Sequence, residues 1–226
     1  MQSKRLDIKK AILLIMNYLI GYLYLYPILL NWLIDKFSLN KDLVLLIFYI
    51  AYTLFTVIII KDILFSDGKR FINNLPKNII AVFKNYLLML IFVISMNMIL
   101  YSFFDLLNSN NQKAIEDAIG IAKYSTIFAS IFFGPIVEES IFRLGIFRNL
   151  QKGDHFVVSC LISSFCFGLL HVYDSILMKS YLDCLYLLTY MGMGMIICRV
   201  YYLQDNFITC ILLHMLNNLL GVLLLL

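Results

Sequence analysis

The chain has 226 residues and a formal charge of +4; it is 62% hydrophobic and only 14% charged, with three prolines and ten glycines. Against a soluble norm of about 45 to 50% apolar and 25% charged, these values exclude an ordinary water-soluble domain. They point to an all-α, polytopic transmembrane helix bundle forming one integral membrane domain. No basic run is interleaved with polar sequence, which excludes nucleic acid as a partner and assigns the positive charge to lipid headgroups.

The N-terminal Met1-Gln2-Ser3-Lys4-Arg5, with Lys9 and Lys10, has the charge of a signal n-region. The apolar stretch behind it runs to about Leu33 without a small-residue cleavage site, so it reads as a retained first span. Apolar runs long enough to cross a bilayer give candidate spans at 11–33, 43–60, 81–104, 119–137, 155–173, 181–202 and 206–226. Residues 66–80, beginning Ser66-Asp67-Gly68-Lys69-Arg70, read as a short interfacial helix or loop. Asn108-Ser109-Asn110-Asn111-Gln112 is a polar loop in which nothing suggests chemistry. The fourth span is expected to continue through Arg143 to Leu150, either as one helix bent at Gly134-Pro135 or as a helix followed by a re-entrant piece. An eighth span or a re-entrant piece in 138–152 would reverse part of the topology.

With the N-terminus cytoplasmic, that side collects thirteen lysines and arginines, from Lys4 to Arg199, against five on the other: Lys36, Lys41, Lys113, Lys123 and Lys179. This is the positive-inside bias, and it places the C-terminus outside. The five cysteines, Cys160, Cys166, Cys184, Cys198 and Cys210, lie in apolar segments without C-x-x-C spacing and read as reduced packing residues.

Three polar islands interrupt the apolar sequence. The first is Glu138-Glu139-Ser140-Ile141-Phe142-Arg143. Charged groups in hydrocarbon cost roughly 2.5 to 3.5 kcal/mol each on insertion scales, so three together mark a site. Residues four apart on a helix share a face, so Glu139 pairs with Arg143 and Glu138 is left free. A carboxylate without a counter-ion in a low-dielectric site is poised to take a proton, as a general base must. The bland reading is an interfacial Glu-Arg pair facing headgroup water.

The second island is Phe167-Gly168-Leu169-Leu170-His171, at the end of span five, and the third is His214-Met215-Leu216-Asn217-Asn218. His214 and Asn218 share a helix face while Asn217 points elsewhere. The bland reading makes these groups helix-to-helix glue, at roughly 0.6 kcal/mol per bond. Jointly, the islands supply a base, two imidazoles and an amide, a sufficient set for peptide hydrolysis. Cys210, four residues before His214, has the spacing of a thiol-imidazole dyad but reads as packing, and His155 reads as solvated. Gly192-Met193-Gly194 reads as a site of close helix approach.

Glu138-Glu139-x-x-x-Arg143, Phe167-x-x-x-His171 and His214-x-x-x-Asn218, in that order, resemble the motifs of the CPBP family. This family comprises CAAX prenyl endopeptidases and bacteriocin-processing or immunity proteins, formerly the Abi group. The resemblance covers roughly residues 119–226, while 1–118 match only in general architecture. It implies a glutamate-dependent intramembrane endopeptidase acting on a membrane-associated peptide or protein, such as a leader, a signalling peptide or a bacteriocin. Glu138 and His171 would activate water, His214 and Asn218 would form the oxyanion site, Glu139 and Arg143 would support it electrostatically, and Phe167 would line it. The family is often labelled metalloprotease, but H-E-x-x-H is absent here. A zinc ion, if bound, would take Glu138, His171 and His214, and the preferred mechanism uses no cofactor. Competing classes are an immunity or scaffold protein acting by binding alone and a small proton-coupled transporter. The location implied is a bacterial cell membrane.

One distance is discordant. At 1.5 Å per residue, Glu138 stands about 15 Å before Arg148 but His171 about 24 Å after His155, which sets His171 too far toward the outer face. Either span five begins well below the membrane surface or the 143–154 connection is itself inside the bilayer.

Overall fold

Each of the three prolines, Pro27, Pro76 and Pro135, falls in the opening turn of a stretch of α-helical winding. Proline has no N–H to donate to the preceding turn, so it starts a helix or forces the chain to change winding within one. In the computed structural model, which describes residues 5–151 and 155–226, Pro76 starts a helix, whereas Pro27 and Pro135 follow π-helical turns inside longer ones. Met1 to Lys4 and Lys152 to Asp154 lie outside the described residues.

Among the described residues the elements are helical throughout. Helix α1 (Ile8–Phe37) includes the π-helical stretch Asn17–Leu25, and α2 (Lys41–Asn73) and α3 (Leu75–Phe104) follow, joined at Asn74. Helix α4 (Asn110–Ile121) buries none of its residues and lies over the bundle. Helix α5 runs without interruption over 123–150, changing from α to π winding at Ala129–Phe133 and again at Ser140–Phe147. Then come α6 (Phe156–His171), the short α7 (Tyr173–Leu177), α8 (Tyr186–Gln204, entered through a 3-10 turn) and α9 (Phe207–Leu223). Four helices, Ile8–Phe37, Lys41–Asn73, Leu75–Phe104 and Asp183–Gln204, are long and apolar enough to cross a membrane, and α6 and α9 are shorter apolar helices. The chain is an all-α membrane bundle.

Two of the expected boundaries are corrected. Residues 66–80 are neither a separate short helix nor a loop: the stretch is helical, but as the end of α2, which continues to Asn73, and the start of α3 at Leu75. Of the charges in this stretch, Lys69 and Lys77 are exposed, but Asp67 and Arg70 are bound within the protein. Asp67 is fully buried, accepts a hydrogen bond from the Phe207 N–H at 2.9 Å and holds Arg70 at 2.6 Å. Its own carbonyl accepts from Asn206 Nδ2 at 2.9 Å. The fourth span begins at 123 rather than 119, since Ala122 separates it from the surface helix α4. Of the two forms considered for 119–150, the structure has the single helix.

Helices α6 and α8 pack most intimately, and glycines permit it. A Cβ on Gly194 would lie 3.0 Å from Ser164 Cα, and one on Gly168 would lie 2.8 Å from Leu187 Cδ1. Ser163 Oγ donates to the Phe142 carbonyl at 2.7 Å, tying α6 to the π-wound part of α5. All five cysteines are free, and Cys210 Sγ is directed at the Asn206 carbonyl rather than at His214.

Asp67 thus satisfies the first turn of α9 from a different helix. Replacing Asp67 by alanine leaves a buried N–H of α9 unsatisfied and deletes a buried ion pair, at about 2 kcal/mol or more. Thermal unfolding in detergent is expected to show a clear loss for Asp67→Ala and none for Lys69→Ala, whose side chain is exposed.

Candidate active site

Helix α5 carries the two adjacent carboxylates, and its winding decides what they meet. The Gly134 N–H bonds to the Ala129 carbonyl, five residues back. In that register the next donor, for the Ser130 carbonyl, would be residue 135, which is proline. The orphaned carbonyl is filled from α9, where Asn218 Nδ2 donates to it at 2.9 Å. Asn218 therefore docks α9 on the π turn just before the carboxylates, and its second amide hydrogen remains for another acceptor.

One helical turn on, Glu139 and Arg143 are both fully buried and paired at 3.1 Å. Glu139 Oε1 also holds His214 Nδ1 at 2.8 Å. The Arg143 Nη2 donates to the Gly194 carbonyl at 3.4 Å, and its guanidinium lies 4.7 Å from the centre of the Phe167 ring. Phe167, itself fully buried, is also 4.4 Å from the ring of His171 and 5.7 Å from that of His214.

Glu138 does not join this cluster. Its Oε2 makes no hydrogen bond among the described residues and lies 3.9 Å from His171 Nε2. Both side chains keep 14% exposure, whereas Glu139 and Arg143 keep none, so it is Glu138 and His171 that reach the cavity. His171 Nδ1 is 2.9 Å from the Phe167 carbonyl. A carbonyl only accepts, so Nδ1 carries the proton and Nε2 turns its lone pair toward Glu138. Two acceptors facing each other at 3.9 Å are too far apart for a direct hydrogen bond and suited to sharing a donor such as water.

The cavity in front of them has a volume of about 320 Å³. Glu138, Phe167, His171, His214 and Asn218 all line it, so the residues singled out in sequence converge. The discordant distance for His171 is overturned by its contact with Glu138. Arg148 is 8% exposed and bound to Asp205 at 2.6 Å, so it lies inside the protein and does not mark the membrane surface from which the distance was counted.

Several lining residues carried no signal in the sequence. Tyr22 of α1 and Tyr49 of α2 face the cavity, so the first helices help build the site. Tyr190 stacks on His171 at 4.5 Å, and its hydroxyl bonds to Ser109 Oγ and Asn111 Nδ2. The loop in which nothing suggested chemistry is thus fastened to the imidazole, and Asn111 and Gln112 line the cavity. Asn217, expected to point elsewhere, also lines it and donates to Asn218 Oδ1 at 3.3 Å.

Among the described residues no group of three or more His, Cys, Asp or Glu is arranged to hold an ion. The buried Arg143 guanidinium, 3.1 Å from Glu139, sets a fixed positive charge beside the carboxylates.

Residues 121–220 match the family described as type II CAAX prenyl endopeptidase Rce1-like. The matched stretch contains the whole constellation, from Glu138 to Asn218. Over this stretch the chain is similar to that family, and the match leaves residues 1–120 uncovered. The Bacillus subtilis (strain 168) protein named "Putative membrane peptidase YdiL" is 34% identical over 110 residues. That alignment covers 49% of this chain and 41% of the relative. No solved structure matches the chain. The family match coincides with the part of the bundle that carries the motifs, whereas Tyr22 and Tyr49 reach the same cavity from outside it.

The burial gradient is directly measurable. Diethylpyrocarbonate labelling followed by mass spectrometry is expected to modify exposed His155 first, His171 later and His214, at 2% exposure, last. Tyr190→Ala, which removes the stacked ring, is expected to speed modification of His171 while leaving His214 slow.

Proposed function

We propose that the protein is an intramembrane endopeptidase that hydrolyses a peptide bond of a membrane-associated peptide or protein with a water activated by Glu138 and His171. The observation that carries this reading is the pair of facing acceptors. A water between them donates one hydrogen to Glu138 Oε2 and the other to His171 Nε2, which leaves an oxygen lone pair directed out into the cavity. Attack on the scissile carbonyl carbon transfers the water proton to Glu138. The tetrahedral intermediate then collapses as Glu138 returns that proton to the leaving amine.

The developing oxyanion needs donors, and His214 and Asn218, which line the same cavity, are the candidates. With Nδ1 turned to Glu139, the His214 atom left for substrate is Nε2, which donates when the ring carries both protons. Glu139, Arg143 and His214 then hold one net positive charge, which complements the oxyanion. Asn218 has one amide hydrogen beyond the one given to Ser130. Phe167 packs the two imidazoles against the Arg143 guanidinium and keeps their relative positions.

The family match and the membrane peptidase relative support hydrolysis as the reaction class. The lysine and arginine asymmetry supports a cytoplasmic N-terminus, and the Bacillus relative supports a bacterial cell membrane.

Removing a general base costs about 10²- to 10⁴-fold in rate. Cells carrying Glu138→Gln or His171→Ala are expected to accumulate the protein normally and to lose specific peptide products when membrane peptidomes are compared with wild type. Unchanged peptide profiles would return the protein to the binding-only class. For Glu139→Gln the expected loss of products comes with lower thermal stability, because it unbalances a buried pair at about 3 to 5 kcal/mol.

A further inference from the structure

A second cavity, also of about 320 Å³, adjoins the first, and Tyr22 and Tyr49 line both. It lies between α1, α2 and α7 and is separated from Glu138 and His171 by no more than the shared residues Tyr22 and Tyr49. Its walls are aromatic, with Tyr22, Phe48, Tyr49 and Tyr173, and aliphatic side chains of α1 and α2 fill the remainder. The hydroxyls of Tyr24 and Tyr173 are hydrogen-bonded, tying α1 to α7 beside it.

Only Asn31 and Asp174 interrupt this lining apart from the tyrosine hydroxyls. Asp174 follows His171 by three residues, and the Asp174 carboxylate makes no hydrogen bond or ion pair among the described residues. Asn31 sits within the apolar α1. Asn31 and Asp174 are both exposed, and both line the cavity. No lysine or arginine lines either cavity, whereas Glu138 lines the first and Asp174 the second. Aromatic faces and a carboxylate without a counter-ion together favour a cation, the rings through their quadrupoles and the carboxylate through charge.

We propose that this side cavity is the subsite for a basic side chain, lysine or arginine, of the substrate peptide, and that Asp174 sets the preference. The inference rests on the peptidase reading above. The long apolar stem of lysine or arginine lies along the aliphatic and aromatic wall while its charged end reaches Asp174 and Asn31. Cleavage then falls at a fixed distance from a basic residue, because the two cavities share Tyr22 and Tyr49 as a common wall.

The test separates binding from cleavage. The Glu138→Gln variant in zwitterionic nanodiscs is titrated with a scanning set of apolar peptides, each carrying one lysine or its uncharged isostere norleucine. Lysine is expected to improve affinity about fivefold at one position of the set, the scale of a partly solvated ion pair. Asp174→Asn in the same background is expected to remove that difference, and Asp174→Lys to transfer it to peptides carrying glutamate. Equal affinity for lysine and norleucine, or a lysine preference that survives Asp174→Asn, overturns the proposal. The wild-type protein is then given the same peptides. Cleavage at a fixed distance from lysine supports both readings, and cleavage indifferent to lysine overturns the subsite alone. Lysine-dependent binding without cleavage overturns the peptidase reading and leaves the basic subsite standing.

Discussion

A guanidinium and a carboxylate with no solvent exposure, Arg143 and Glu139, set the terms for the C-terminal half of the bundle. Neither charge is tolerable in such a place unless its partners are fixed, and each partner comes from a different helix. Arg143 on α5 reaches the Gly194 carbonyl of α8 and the Phe167 ring of α6, while Glu139 reaches His214 of α9. Four helices are thereby registered on one ion pair. The pair is sealed from the cavity, so its contribution is to hold the imidazoles in place, and Glu138, one residue earlier, is rotated out of the pair and into the cavity.

The same economy recurs at helix ends. Asp42, in the first turn of α2, accepts from the Tyr124 and Ser125 N–H groups that open α5. Asp67, in the last third of α2, accepts from the Phe207 N–H that opens α9. Asp183 accepts from the Asn110 N–H that opens α4. A helix start carries unsatisfied donors and partial positive charge, so an acid supplied by a neighbour both satisfies the end and fixes the distance between helices. Through Asp42 and Asp67, one helix outside the family match holds the two that carry Glu138, His214 and Asn218. Pro135 adds the last element, since the carbonyl it orphans is what Asn218 binds.

What could be read in the sequence was what periodicity and charge dictate. The i, i+4 spacing of Glu139 and Arg143 gave their pairing directly, and that of His214 and Asn218 gave their shared side, both reaching α5. All seven candidate spans correspond to helices. The failures have a common cause: a charge in the sequence signals water only when it is unpaired. Asp67, Arg70 and Arg148 are paired within the protein, so a separate interfacial helix or loop was expected where α2 continues and a membrane surface where Arg148 is buried. Tyr190, Tyr22 and Tyr49 could not be distinguished among fifteen tyrosines, because ring stacking depends on which helices pack together. Asn111 was indistinguishable from loop for the same reason, its partner Tyr190 lying 79 residues away.

The account depends on Glu138 and His171 facing each other as two acceptors that share one donor. An experimental structure at a resolution that shows ordered solvent, with anomalous data collected at the zinc edge, tests this most directly. The expected result is a single water within hydrogen-bond distance of both Glu138 Oε2 and His171 Nε2, without anomalous signal. A direct hydrogen bond between the two side chains, or an anomalous peak bound to both of them and His214, would contradict it.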